Sequence, residues 1–157
     1  MKVKISKNLT FSYKERPKII AEISGNHNGS KKKFLKLIKE SIISGADLIK
    51  IQTYEPVDIT INSKSSKFKI KEGIWKGKYL WDLYQKAHTP FKWHKDAFKL
   101  ANKYKKILFS SPFSCRAVDL LEKNKVKLYK IASFEINDHH LIDYIASKKN
   151  LSFFQQV

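Results

Sequence analysis

The chain has 157 residues, 42% of them apolar, which is enough for one domain with a real core and too apolar for a disordered segment. No run of about 18 apolar residues occurs, so no membrane partner is expected. The net charge of +18 points towards nucleic acid. Yet 30 of the 32 basic residues are Lys, and only Arg16 and Arg116 are the residue that reads phosphates and guanines bidentately. Lys, Ile, Asn and Phe, all abundant here, share AT-rich codons, so the charge is read as lysine bias. No zinc spacing, helix-turn-helix pattern or aromatic RNA-binding signature is visible, and no specific nucleic acid is expected as partner. A Lys-rich nucleic-acid-binding α/β module is the alternative reading. The N-terminus MKVKISKNLTFSYK lacks the apolar stretch of a signal peptide. Cys115 is the only cysteine, which excludes an internal disulfide; both features predict a cytoplasmic protein.

Residues 2–12 read as a short strand or hairpin. Pro17 precedes an apolar run, 19–23, expected as a buried strand. Ser30 can cap a helix carrying Phe34, Ile38 and Ile42, with Leu35 beside them, and Gly45 ends it. Residues 48–53 form the second predicted strand. Residues 54–91 show no long helix or strand pattern. A helix follows with Trp93, Ala97, Leu100, Ala101 and Tyr104 on one face. Residues 107–111 are the third strand, and Val118 and Leu121 point inward from a short helix. Residues 128–133 are the fourth strand, and Asp138 caps a last helix carrying Leu141, Ile142 and Ile145. Four strand–helix units in alternation predict a parallel sheet with helical crossovers. That sheet is either small and open or half of an eight-unit barrel. Gly25 and Gly29 do not form a dinucleotide fingerprint, and no phosphate-loop motif is present.

Polar residues collect at the C-terminal ends of these strands, the edge where parallel α/β folds build their sites. Glu22, Ser24, Asn26 and His27 follow the first; Lys50 and Gln52 share one face of the second, because strands have period two. Ser110 and Ser111 end the third, and Lys130, Ser133 and Glu135 lie along the fourth. A lysine inside a strand is costly unless it meets an anion or a carboxylate. Lys50 and Lys130 therefore suggest an anion such as phosphate, with serine hydroxyls as further donors. Glu22 and Glu135 could balance the lysines or move protons. About one residue in five is Lys, so chance or edge solvation stands beside this reading. His27, next to a glycine turn, is read as turn-stabilising. His88, His94, His139 and His140 show no metal spacing, and His139 and His140 are expected in the first turn of an exposed helix. Cys115 has no evident activating partner and is read as structural.

The segments IIAEISGNHNGS, ADLIKIQTYEP, ILFSSPFS and LYKIASFEI, in this order, resemble the sialic acid synthase family, which condenses phosphoenolpyruvate with an amino sugar. The stretch FKIKEGIWKGKYLWDLYQKAHTPFKWH is most similar to the pseudaminic acid synthase branch; an N-acetylneuraminate or legionaminate synthase is the alternative within the family. The resemblance runs from about Lys18 to Asn150. It implies the N-terminal half of a (β/α)₈ TIM barrel, about four βα units, followed in the full-length family by a small antifreeze-like domain. It implies a domain-swapped homodimer and a divalent metal, manganese or magnesium. By motif match, Lys50, Ser111, Lys130 and Ser133 would hold the phosphate and carboxylate of phosphoenolpyruvate. Ser111 stands where related synthases often have Thr, which keeps the hydroxyl. Gln52 and Asn26 would contact the N-acetylated amino sugar, Glu22 would assist the water or proton steps, and Glu135 would support the site. The loop 54–91, with Trp75, Tyr79 and Trp81, would lie over the sugar pocket, aromatic packing on the rim being the alternative for each ring. In the implied chemistry the metal polarises the open-chain aldehyde. C3 of phosphoenolpyruvate attacks it, water adds at C2, and phosphate leaves by C–O cleavage while lysines neutralise its charge. The product is a nine-carbon 2-keto sugar acid.

The resemblance fails at the end of the chain, where a fifth strand close to K-P-I-I-x-S-T-G-M is expected. One allowed codon set for residues 150–157, AAC CTA TCA TTT TTT CAA CAG GTA, reads Pro-Ile-Ile-Phe-Ser-Thr-Gly from its third base. A base lost in the run of A at Lys148 and Lys149 would produce this tail, so the expectation is a frameshifted, truncated reading frame. The expected organisation is an N-terminal strand or hairpin over 1–16, a partial barrel over 17–149 and an aberrant tail over 150–157. The family's metal ligands would lie beyond this point, so no metal ligands are expected in this chain. The fragment is expected to be inactive alone and to self-associate or aggregate through its open edges.

Overall fold

The computed structural model describes residues 2–6, 9–148 and 150–154. An antiparallel hairpin of β1 (Lys2–Ser6) and β2 (Leu9–Ser12) opens the chain. Its apolar residues Val3, Ile5, Leu9 and Phe11 pack onto the main core. The elements that follow are β3 (Ile20–Glu22), α1 (Lys31–Ile43), β4 (Leu48–Thr53), α2 (Pro56–Ile59), α3 (Leu80–Ala87), α4 (Phe91–Lys103) and β5 (Ile107–Pro112). Then come α5 (Cys115–Lys123), β6 (Leu128–Ile131), α6 (His139–Ser147) and β7 (Leu151–Phe154). Strands β3 to β7 form one parallel sheet and stand side by side in chain order. A doubly wound sheet reverses its order at a switch point. Here each crossover advances the sheet by one strand, as in a βα barrel.

Register separates the two faces. Lys50 lies beside Phe109, Gln52 beside Ser111, and Lys130 beside Phe153. With period two, these residues share one face. The opposite face carries Ile49, Ile51, Leu108, Tyr129 and Ile131, which are buried. Against it pack the apolar stripes of the helices: Phe34, Ile38 and Ile42; Ala97 and Phe98; Val118 and Leu121; Leu141 and Ile145. Strands β4 and β6 are buried on both faces although each carries a lysine, LIKIQT and LYKI, because that lysine stands on the face away from the helices. Side-chain oxygens of Ser30, Ser114 and Asp138 cap α1, α5 and α6 by accepting from the amides of Lys33, Ala117 and Leu141. Gly45, at φ +92°, turns the chain out of α1.

Several elements differ from the sequence expectation. The run 19–23 is not a buried strand: Ile19 is 62% and Ile20 37% exposed, because β3 is an outer strand of the described sheet. The buried face of α4 is Trp93, His94, Ala97, Phe98 and Ala101; Tyr104 caps its C-terminus, 37% exposed. The face is rotated because His94 meets a buried hydroxyl on β4 and need not avoid the core. Strand β6 stops at Ile131, and Ser133–Glu135 form a 3₁₀ turn. The stretch 54–91 holds two helices, α2 and α3. Part of the segment expected as an aberrant tail is the fifth strand, β7, parallel to β6, with Phe153 against Phe109 at 5.7 Å between ring centres. Lys149 and residues 155–157, on which the rest of the tail expectation falls, lie outside the described residues.

Candidate active site

The C-terminal ends of β3 to β6 assemble a cationic corner. Lys50, 8% exposed, is ion-paired with Glu22 of the neighbouring strand, its register partner. Glu22 also accepts the amide of Ser24 at 3.0 Å, which fixes its carboxylate. Lys130, 7% exposed, has no ion pair among the described residues. Burial and, behind it, the charge of Lys50 hold the Lys130 ammonium below its ordinary range, while Glu22 pulls it back up. Of these two buried ammonium groups only Lys50 has a carboxylate partner, and the corner keeps an excess positive charge. Ser111 borders it on β5. Its hydroxyl is buried and, among the described residues, has no hydrogen-bond partner. An unsatisfied buried hydroxyl costs about 1–3 kcal/mol and is a place where an acceptor belongs.

Ser110, the neighbour of Ser111, points to the helix side and is part of a buried network. Its hydroxyl lies 2.6 Å from that of Thr53 and 3.1 Å from the carbonyl of Ile51. Thr53 lies 2.9 Å from Nε2 of His94, whose Nδ1 is 3.3 Å from the carbonyl of Pro90. This arrangement has the neutral imidazole donate from Nδ1 to Pro90 and accept at Nε2 from Thr53. Burial presses the His94 pKa down to about 4, against backbone hydrogen bonds at Pro90 and Phe91. The network ties α4 to the ends of β4 and β5, directly behind Gln52 and Ser111.

Beside the corner lies a cleft of about 730 Å³. One wall is the β3–α1 loop with Asn26; Gln52 and Tyr54 form part of its lining, and Trp75 and the residues of α3 form the other wall. Asn26 donates its side-chain amide to the carbonyl of Ile23 at 3.1 Å, which fixes its orientation. Burial, then Tyr84, pushes the Tyr54 phenol up to about 12, so it is neutral at physiological pH. Trp75 lines the cleft with the Lys78 ammonium over its ring, whereas Tyr79 stacks under Lys64 and Trp81 lies outside the lining. The structure thus brings Glu22, Lys50, Lys130 and Ser111 to one corner and Asn26 and Gln52 to the adjoining cleft. Ser133 and Glu135 sit on the rim turn after β6; among the described residues neither hydrogen-bonds to the lysines or to Ser111. Burial, then Asp138, raises the Glu135 carboxyl above its usual range.

Sequence reasoning missed the α3 wall and the His94 network. Leu80, Leu83, Tyr84 and Ala87 do carry helical spacing, a signal masked by the irregular residues before them. Both arginines serve structure: Arg16 pairs with Asp47, and Arg116 clamps Glu55 and Asp58. Cys115 has a neighbour after all, His140 at 3.5 Å. Burial, Asp138 and Asp119 raise its thiol above the ordinary value, so it stays protonated.

The NeuB family matches residues 37–152 of the chain. The chain belongs to the NeuB family. The pseudaminic acid synthase of Helicobacter pylori is 50% identical over 134 residues, covering 83% of this chain and 38% of that synthase. The N,N'-diacetyllegionaminic acid synthase of Campylobacter jejuni is 33% identical over 129 residues, 82% of this chain and 38% of its own. The N-acetylneuraminic acid (sialic acid) synthetase of Leptospira borgpetersenii superposes with a TM-score of 0.81 at 21% identity, over 98% of this chain and 49% of that one. That likeness shows the fold, a TIM-barrel architecture of which this NeuB-family chain covers about half. The chain spans about two-fifths of the length of the synthases it matches. Among its described residues no three His, Cys, Asp or Glu side chains cluster to hold a metal ion. No helix among them is long and apolar enough to cross a membrane.

Proposed function

We propose that this chain carries the phosphoenolpyruvate corner and part of the sugar cleft of a pseudaminic acid synthase. The reaction condenses phosphoenolpyruvate with an N-acetylated amino sugar to a nine-carbon 2-keto sugar acid. The carrying observation is the pair of buried lysines, of which only Lys50 has a carboxylate partner, beside a Ser111 hydroxyl without a hydrogen-bond partner among the described residues. A dianionic phosphate satisfies all of it: it neutralises the excess ammonium charge and accepts from Ser111. The higher identity to the pseudaminic than to the legionaminic synthase supports the branch.

In this reading Lys50 and Lys130 hold the phosphate through C–C bond formation and its departure. Their charge stabilises the leaving group as its C–O bond breaks. Ser111 donates to a phosphate or carboxylate oxygen, and Ser133 adds a hydroxyl from the rim. Glu22, held between Lys50 and the Ser24 amide, accepts the proton of the water that adds at C2. Glu135, its carboxyl raised above the usual range by burial and then Asp138, supports the rim. Gln52 and Asn26 present amides to the sugar. The divalent metal belongs to the same proposal, with ligands from outside the described residues, and no step here depends on it. The setting is the cytoplasm, and the assembled enzyme is a homodimer.

Phosphoenolpyruvate titrated onto the chain should raise its thermal midpoint, since a ligand at about 100 times its Kd adds roughly 3 kcal/mol of stability. No shift at ligand concentrations up to about 10 mM would overturn the assignment, because a site weaker than this holds no useful fraction of phosphoenolpyruvate. The chain alone should release no phosphate from phosphoenolpyruvate with an N-acetylated amino sugar, because the five parallel strands among its described residues do not close a barrel. Turnover by the purified chain refutes that part.

A further inference from the structure

His27 is buried under the β3–α1 loop, yet the site described above does not use it. Its ring packs edge-on against Phe34 at 5.7 Å and Trp93 at 5.3 Å between ring centres. Its two nitrogens face different walls of the cleft. Nδ1 accepts from the amide of Gly29 at 3.1 Å, within the loop. That fixes the tautomer, so Nε2 carries the proton and donates to the Thr89 hydroxyl at 3.3 Å, at the junction of α3 and α4. Thr89 is itself 2% exposed.

The same two walls meet once more. A Cβ on Gly25 would stand 3.0 Å from the carbonyl oxygen of Ala87 and 3.1 Å from its Cβ, so only glycine allows this approach. The loop is conformationally costly at two non-glycine residues, Ser24 and Asn28, with φ of +47° and +50°, whereas Gly29 adopts +73° freely. Such a conformation persists only where surrounding contacts hold it. Asn26, Asn28 and Gly29 line the cleft from this loop, and Gln85 to Ala87 line it from the other side.

We propose that His27 is the positioning residue of the cleft: its neutral imidazole fastens the loop bearing Asn26 to the α3–α4 junction and so sets the distance between the walls. The functional consequence rests on the reading of this cleft as the amino-sugar site. Burial and then His88 hold the imidazole below its ordinary range, with Lys33 adding and a hydrogen bond at Ala87 opposing. The neutral form required by the Gly29 contact is therefore the form present near neutral pH.

The test uses three variants of the full chain. His27→Phe keeps the ring between Phe34 and Trp93 but removes its hydrogen bonds with Gly29, Thr89 and Ala87. Thr89→Val removes the link from the other wall. His27→Asn offers an amide oxygen to the Gly29 amide and serves as the conservative rescue. In His27→Phe, hydrogen exchange at Gly29 and at residues 87–89 should rise roughly tenfold, the strands β4 to β6 staying protected. Thr89→Val should raise exchange at the same junction, and His27→Asn should restore protection at Gly29. N-acetylmannosamine, titrated by chemical-shift changes, should bind His27→Phe roughly tenfold more weakly, with phosphoenolpyruvate within about twofold of the wild type. Unchanged exchange in both His27→Phe and Thr89→Val overturns the clamp. Equal loss of protection across all strands overturns it too, since His27 would then be an ordinary core residue. A wild-type chain that binds no N-acetylmannosamine overturns the sugar reading of the cleft and leaves the exchange result to decide the clamp.

Discussion

Lowering the pH should weaken this fold through His94. The folded state holds the imidazole neutral, with its pKa pressed from 6.5 down to about 4 by burial. The unfolded chain protonates it at the ordinary value. Between these values the unfolded state binds more protons, so stability falls as pH falls. The contribution is complete above about pH 6.5 and is lost on the way to about pH 4. That gap is worth on the order of 3 kcal/mol, a large share of the stability of a small domain. His27 is also depressed and adds loss of the same sign, whereas the raised Glu135 carboxyl adds stability as pH falls. Asp47, pulled to about 2 first by its hydrogen bonds from Arg16 and then from the Ile19 amide, titrates below this window. The difference between wild type and His94→Gln isolates the one group. Urea unfolding followed by circular dichroism from about pH 7.5 to about pH 4.5 should show the wild type losing about 2.5 kcal/mol more than the variant. Parallel profiles for the two proteins, or an NMR titration of His94 near its ordinary value, would refute the reasoning.

Lys130→Met should raise the urea midpoint of the unliganded chain, because it removes a buried ammonium that faces Lys50 without a partner of its own. The same change should weaken phosphoenolpyruvate by about 2 kcal/mol or more, roughly 30-fold in affinity by calorimetry. Ser111→Ala should leave stability unchanged or improve it while lowering phosphoenolpyruvate affinity several-fold, and Ser111→Thr should keep binding; calorimetry and melting curves read both. Phe109→Ala, at a fully buried ring on the inner face, should cost about 3–5 kcal/mol in urea denaturation.

The sequence by itself determined the alternation of strands and helices, because short Ile- and Leu-bearing segments such as 48–53 alternate with longer segments whose apolar residues recur at helical spacing. It determined the caps at Ser30 and Asp138, since a hydroxyl or carboxylate before an apolar helical stripe meets orphan amides only there. It also singled out Lys50 and Lys130, for a lysine inside a buried strand demands an anion. What it could not carry were relations between distant segments. That Lys50 has Glu22 while Lys130 has none follows from strand order and register, in which Glu22 lies beside Lys50. The exposure of Ile19 follows from β3 standing at the sheet's outer edge, and apolar composition alone reads such a strand as buried. His94 and His27 carry no sequence spacing that marks them. Their roles arise because the fold presses each ring into an apolar layer and leaves Thr53 or Thr89 as a partner. The cleft wall at α3 exists only because the chain between β4 and α4 folds back over the strand ends, and a local pattern shows the helix without showing what it faces.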